Sequence, residues 1–138
     1  MNTITITAKI ENLPNVLNFI NNQLNGLNIS GKTLFQLELA IEEIYVNIAR
    51  YAYVGEEGAV TITSCIEEDP LQIIVEFTDS GVPFNPLENE DPDFSQKTEE
   101  KEIGGLGIHL IKKNVDSLGY KFHDNKNVLT IKKILNSG

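Results

Sequence analysis

Residues 102–111 read Glu102-Ile103-Gly104-Gly105-Leu106-Gly107-Ile108-His109-Leu110-Ile111, a glycine cluster that runs straight into an apolar, helix-like segment. Glycine admits positive φ and lets backbone approach a ligand closely. A helix start adds N–H groups without intrahelical acceptors and a partial positive charge, which together suit phosphate oxygens. Alone, the stretch is equally a glycine-rich helix entry with no ligand. It is not a Walker A loop, because no Gly-Lys-Ser/Thr follows, and it is a poor dinucleotide fingerprint, lacking the third glycine and following a polar loop rather than a strand.

Working upstream, Asn85 to Lys101 carries Pro86, Pro92, many charges and little periodicity. It reads as a long surface loop, and loops of that length in small domains commonly act as lids or binding segments. Before it stands Phe77-Thr78-Asp79-Ser80-Gly81-Val82-Pro83-Phe84, at the end of a hydrophobic strand. Asp79 there can accept a hydrogen bond from an exocyclic amine, and Gly81 leaves room for a flat ring; the plain alternative is a turn. Further back, Glu43 and Asn47 stand four apart on a helix and share a face. They lie roughly 80–120° from the centre of its apolar stripe, at the stripe's edge, where a side chain can point into a half-buried pocket. An amide oxygen is a neutral hard ligand suited to Mg²⁺, and a carboxylate one turn earlier can take a proton. An ordinary amphipathic boundary would look the same in isolation.

The rest of the chain supplies the frame. Thr3-Ile4-Thr5-Ile6-Thr7 alternates as a strand. Asn12-Leu13-Pro14 opens a helix through about Leu24. A longer helix runs from about Gly31 to Tyr53, with Leu37, Ile41, Ile44, Ile48 and Tyr51 on one stripe and Phe35, Leu39 and Val46 opposite, a pattern that predicts burial between a sheet and another helix. Val60–Thr63 and Leu71–Thr78 form a hairpin around Glu67–Pro70. A third helix is predicted from Gly107 to about Leu118, and Tyr120–Phe122 and Val128–Leu135 finish as strands. The order β-α-α-β-β-loop-α-β-β predicts an α/β two-layer sandwich: a mixed, largely antiparallel sheet with helices on one face.

At 138 residues and 41% apolar content, a single domain over 1–138 with its own core is expected. No apolar run approaches the ~20 residues of a spanning helix, and the N-terminus lacks a signal-peptide pattern. The formal net charge of −9 disfavours direct binding to nucleic acid or an anionic membrane. Cys65 is the only cysteine and reads as a buried strand thiol. These features fit a cytoplasmic protein.

Taken together and in this order, the three segments resemble the GHKL (Bergerat-fold) ATPase superfamily, and most closely its bacterial anti-sigma factor serine/threonine kinases. Glu43 and Asn47 match the N box, Asp79-Ser-Gly-Val-Pro-Phe the G1 box, Gly104-Gly-Leu-Gly-Ile the G2 box, and about 85–103 the ATP lid. The resemblance covers essentially the whole chain, whose length matches a stand-alone anti-sigma kinase; a sensor histidine kinase would carry a phosphoacceptor helix pair upstream. It implies that Asn47 ligates Mg²⁺ on the ATP phosphates, that Asp79 binds the adenine amino group with Gly81 beside the base, and that N–H groups around Gly104, Gly105, Leu106 and Gly107 hold phosphate oxygens. It also implies that Glu43 is the general base toward a serine hydroxyl, and that Thr130 reaches the adenine.

By the same resemblance, the substrate is a serine on an anti-anti-sigma (STAS-like) protein, the second partner is an RNA polymerase sigma factor held inactive, and the chain forms a homodimer. Two positions depart from the family pattern: Tyr51 stands where a histidine is common, and Ile103 where several members carry arginine near the terminal phosphate. Lys97 or Lys101 in the lid is the candidate substitute. His109 and His123 read as structural, and Arg50 as facing solvent or an acid. Two alternatives follow: a non-catalytic module in which ATP only switches protein partners, and an ATP-hydrolysing GHKL domain of a two-component-like circuit.

Overall fold

A computed structural model describes residues 1–53, 55–83 and 103–135, with side chains of the last segment from residue 109. The lid region and Lys97 and Lys101 lie outside the described residues, apart from Ile103, which opens the third helix. The element order is β1 (Asn2–Thr7), a short 3-10 turn, α1 (Leu13–Leu24), α2 (Gly31–Tyr51), β2 (Ala59–Glu67), β3 (Gln72–Asp79), α3 (Ile103–Asn114), β4 (Ser117–His123) and β5 (Lys126–Ile134).

The strands form one sheet in the order β1-β2-β3-β5-β4. Every neighbouring pair is antiparallel, so the expected mixed sheet is corrected. The reason lies in the β4–β5 hairpin, which docks with β5 against β3; β4 would have paired parallel to β3 had it taken that place. β5 contributes buried Leu129 and Ile131 and suits an interior position, whereas β4, with exposed Gly119 and Lys121, suits an edge.

Alternation along the strands sets two faces. Val60, Ile62, Val75, Phe77, Leu129 and Ile131 point into a core shared with Val16 and Ile20 of α1, Leu37, Ile41 and Ile44 of α2, and Ile111 of α3. Each such side chain contributes about 1.5–3 kcal/mol through burial. The opposite face carries Thr3, Thr5, Thr61 and Thr63, with hydroxyl pairs Thr5–Thr61 at 3.0 Å and Thr3–Thr63 at 3.4 Å. Cys65 is half-buried on this second face, paired with Ile74, and not in the core as its alternating context suggested.

Local chemistry fixes the helices. Ser30 caps α2, its Oγ accepting from the Thr33 backbone N–H at 3.1 Å. The main stripe of α2 is covered from Leu37 through Ile41 to Ile44, with Ile48 half-buried and Tyr51 exposed at its end, whereas on the other stripe Phe35 is 61% exposed and Leu39 and Val46 are half-buried. Tyr45, also buried, donates to the Lys9 carbonyl at 2.6 Å and accepts from the Lys9 N–H at 3.1 Å, pinning the exit of β1 to α2. α3 begins at Ile103 and ends at Asn114, about four residues earlier at each end than expected. The glycines are thus inside its first turns rather than before it. The Asn114 side chain donates to the Leu110 carbonyl at 2.8 Å, and the chain turns immediately into β4.

Candidate nucleotide site

α2 carries the first part of the site. Its covered stripe faces the sheet, which leaves Glu43 and Asn47 half-buried on one flank, one turn apart. Glu43 Oε2 and Asn47 Oδ1 are both shut off from solvent and have no hydrogen-bond partner among the described residues. Buried polar atoms are almost always satisfied, and an orphaned one costs about 1–3 kcal/mol. Two such oxygen acceptors one turn apart on α2 suit a positive partner. Burial, helped by the neighbouring Glu42 carboxylate and opposed by Arg50, pushes the Glu43 carboxyl above its ordinary range. Arg50 itself is exposed, as expected.

The second part is the end of β3. Asp79 is 6% exposed, and its Oδ1 accepts from the Gly81 N–H at 2.8 Å and from Asn127 Nδ2 at 2.9 Å. Asn127 also donates to the Val82 carbonyl at 2.9 Å and accepts from the Tyr120 hydroxyl. The turn after Asp79 lies on the C-terminal end of α2: the Val82 N–H donates to the Ala52 carbonyl at 3.0 Å. A Cβ at Gly81 would stand 2.2 Å from the Ala52 carbonyl oxygen, so glycine is required there by close approach.

The third part is the start of α3. A helix beginning at Ile103 leaves the N–H groups of Ile103, Gly104 and Gly105 without intrahelical acceptors, whereas the ladder takes up the Gly107 N–H, which falls within reach of the Ile103 carbonyl. The donors free to face an anion at this helix start are therefore those of its first turn, Gly104 and Gly105 among them. α3 packs beside α2.

Of the residues singled out from the sequence, Glu43 and Asn47 share one flank of α2, and Asp79 and Gly81 share one turn held by the end of the same helix. Thr130 is not brought to Asp79. It pairs with Glu76 in register, three residues from Asn127, and a strand side chain an odd number of residues away points through the opposite face. Asn127 stands directly across from Asp79. Its signal in the sequence was an amide at the start of an apolar strand, which has no meaning until the β3–β5 register is known. Tyr53 and Ala52 were also missed, since a helix end carries no mark of what lies against it. His123 is exposed at the β4–β5 turn beside Asp124, 3.1 Å away, outside this site.

Comparison with known proteins agrees with this geometry. The family model described as histidine kinase-like ATPase domain matches residues 6–133. The serine-protein kinase RsbW of Listeria monocytogenes is 28% identical over 139 residues, covering 94% of this chain and 87% of the relative. The serine-protein kinase RsbW of Bacillus mycoides is 30% identical over 114 residues, covering 80% and 70%. Among solved structures, the RsbU and RsbW domains of Rv1364c from Mycobacterium tuberculosis superpose with a TM-score of 0.63 at 12% identity, over 98% of this chain and 33% of that one. The histidine kinase domain of a blue-light activated histidine kinase from Erythrobacter litoralis gives 0.56 at 17% identity, over 91% and 60%. At these identities the structures speak for the fold alone. With the fold, the two orphaned oxygens on α2, the Asp79 turn and the glycine-rich start of α3 in place, the match over residues 6–133 settles the membership: the chain belongs to the histidine kinase-like ATPase family.

Proposed function

We propose that this protein is an ATP-dependent serine kinase that phosphorylates an anti-anti-sigma (STAS-like) partner and holds a sigma factor inactive when that partner is phosphorylated. The observation that carries the reading is the pair of buried, unpartnered oxygens, Glu43 Oε2 and Asn47 Oδ1, one turn apart on α2. The kinship with proteins named serine-protein kinase RsbW supports the substrate class.

In this reading Asp79 accepts the adenine amino group, with Gly81 leaving space for the ring. The free N–H groups of Gly104 and Gly105, at the start of α3, hold phosphate oxygens. Asn47 Oδ1 fits Mg²⁺, since it is a neutral hard oxygen with an unmet need for a positive partner. Magnesium, when bound, supplies positive charge against the phosphates. Glu43 accepts the proton of the incoming serine hydroxyl; the serine oxygen bonds to the γ-phosphorus as the bond to the bridging oxygen breaks, leaving phosphoserine and ADP. Its burial raises its proton affinity, which suits a base that must take a proton and later release it. The chain works as a homodimer in this reading.

Phosphate transfer from labelled ATP to a STAS-like partner is the test. Wild type is expected to transfer, and Glu43→Ala to bind Mg-ATP with transfer reduced at least about 100-fold, the usual contribution of a positioned base. Equal transfer by Glu43→Ala would remove the general-base role. Ile103, where an arginine would meet the terminal phosphate, favours the rival in which nucleotide only switches partners; ATP-dependent partner exchange with no phosphoserine formed would establish it.

A further inference from the structure

Tyr53 lies just past α2, and its phenol makes two backbone contacts that bridge separate segments. The hydroxyl donates to the Ala59 carbonyl at 2.6 Å and accepts from the Ser80 N–H at 2.7 Å. Ser80 is the residue after Asp79. The ring lies flat on Gly58, where a Cβ would stand 2.2–2.3 Å from three ring carbons. One residue earlier, the Ala52 carbonyl accepts from the Val82 N–H at 3.0 Å. The exit of α2 therefore grips the Asp79–Val82 turn at both Ser80 and Val82, while Asn127 holds it from the β5 side.

We infer that Tyr53 is a positioning residue for the nucleobase subsite: its phenol fixes the turn that carries Asp79 to the helix that carries Asn47 and Glu43. The inference rests on the proposed reading of Asp79 as the base acceptor. It follows from the cost of a mobile acceptor. A carboxylate reads an exocyclic amine only if its backbone is already set, because ordering a free turn on binding consumes the gain from the hydrogen bond. Both Tyr53 contacts are side-chain bonds to backbone groups, one to Ala59 at the start of β2 and one to Ser80 just past β3. Both are made by a side chain whose seat exists because position 58 is glycine. Removing the hydroxyl leaves the Ser80 N–H and the Ala59 carbonyl without their partner and loosens the turn at Ser80, beside Asp79, while Val82 stays held. The phosphate end of the site, on α2 and α3, is left as it was.

The experiment is titration of Mg-ATP and of Mg-GTP into wild type, Tyr53→Phe, Gly58→Ala and Asp79→Asn, with a thermal melt of each. Gly58→Ala leaves the tyrosine present but displaces its ring. Wild type is expected to prefer ATP, and Tyr53→Phe and Gly58→Ala to bind ATP about tenfold more weakly with GTP unchanged, so that discrimination narrows. A purely structural role would lower the melting temperature and weaken both nucleotides alike, and that result, or unchanged ATP binding in both variants, would overturn the inference. If Asp79→Asn leaves the preference for ATP intact, the base is not read at Asp79 and the underlying site reading fails with it. If Asp79→Asn loses the preference while Tyr53→Phe and Gly58→Ala keep it, only the role of Tyr53 fails.

Discussion

Replacing Asn47 by leucine should stabilise the nucleotide-free protein and abolish its response to nucleotide, so that the two proteins exchange rank when Mg-ATP is added. The Asn47 Oδ1 atom is buried without a partner among the described residues. Removing such an acceptor recovers about 1–3 kcal/mol, and leucine adds a few tenths through helix propensity in the interior of α2. Some of this is offset because leucine is branched and the flank is only half-buried, so a net gain of about 1–2 kcal/mol is expected. For a domain of this size, 1 kcal/mol corresponds to roughly 3–4 °C, so the variant should melt about 3–8 °C above wild type without nucleotide. At ligand one hundred times the dissociation constant, wild type gains ~2.7 kcal/mol, or roughly 8–11 °C, and overtakes a variant that gains nothing. Differential scanning calorimetry with and without Mg-ATP, supported by urea unfolding, measures both halves. A nucleotide-free Asn47→Leu protein that melts below wild type would refute the reasoning, because it would show that the carboxamide contributes to the fold rather than waiting for a cation.

Glu43 should make stability depend on pH in a direction opposite to an ordinary paired carboxylate. Its folded-state pKa is raised above the reference value of 4.5 by burial, so its contribution is most favourable below that value and is lost as pH rises through the folded pKa. Nucleotide-free Glu43→Gln should therefore gain on wild type as pH climbs through this window and hold a constant lead above it; parallel urea-midpoint curves would contradict the assignment. Gly81→Ala places a methyl 2.2 Å from the Ala52 carbonyl oxygen, a backbone atom that cannot swing aside, and should cost about 1–3 kcal/mol while weakening Mg-ATP. Retained stability and affinity by unfolding and titration would show that the turn has slack.

Much of the architecture was legible because two periodicities report directly on burial. The four-and-three spacing from Leu37 to Ile48 and the alternation in β1 and β2 each follow from one face meeting a core. The second stripe of α2 misled: Phe35, Leu39 and Val46 match a covered face in pattern, yet Phe35 is 61% exposed, because periodicity says that a face is apolar and not that anything packs on it. The α3 boundaries shifted for a related reason, since glycine's poor intrinsic helicity hid a helix start that tertiary packing supports.

For the site, the sequence by itself determined the chemical groups and their local spacing. Glu43 and Asn47 are bound to share a helix flank, Asp79 to be followed at once by a tight turn, and Gly104 and Gly105 to offer N–H groups, because each relation spans five residues or fewer. Only the tertiary structure decided which distant groups meet them. The register of β5 on β3 put Asn127 and not Thr130 beside Asp79, and the seat of Tyr53 on Gly58 brought α2 against the Ser80 backbone. Strand register carries no local signature: a shift of one residue leaves every β propensity unchanged and turns every side chain to the other face, so its choice rests with the packed core.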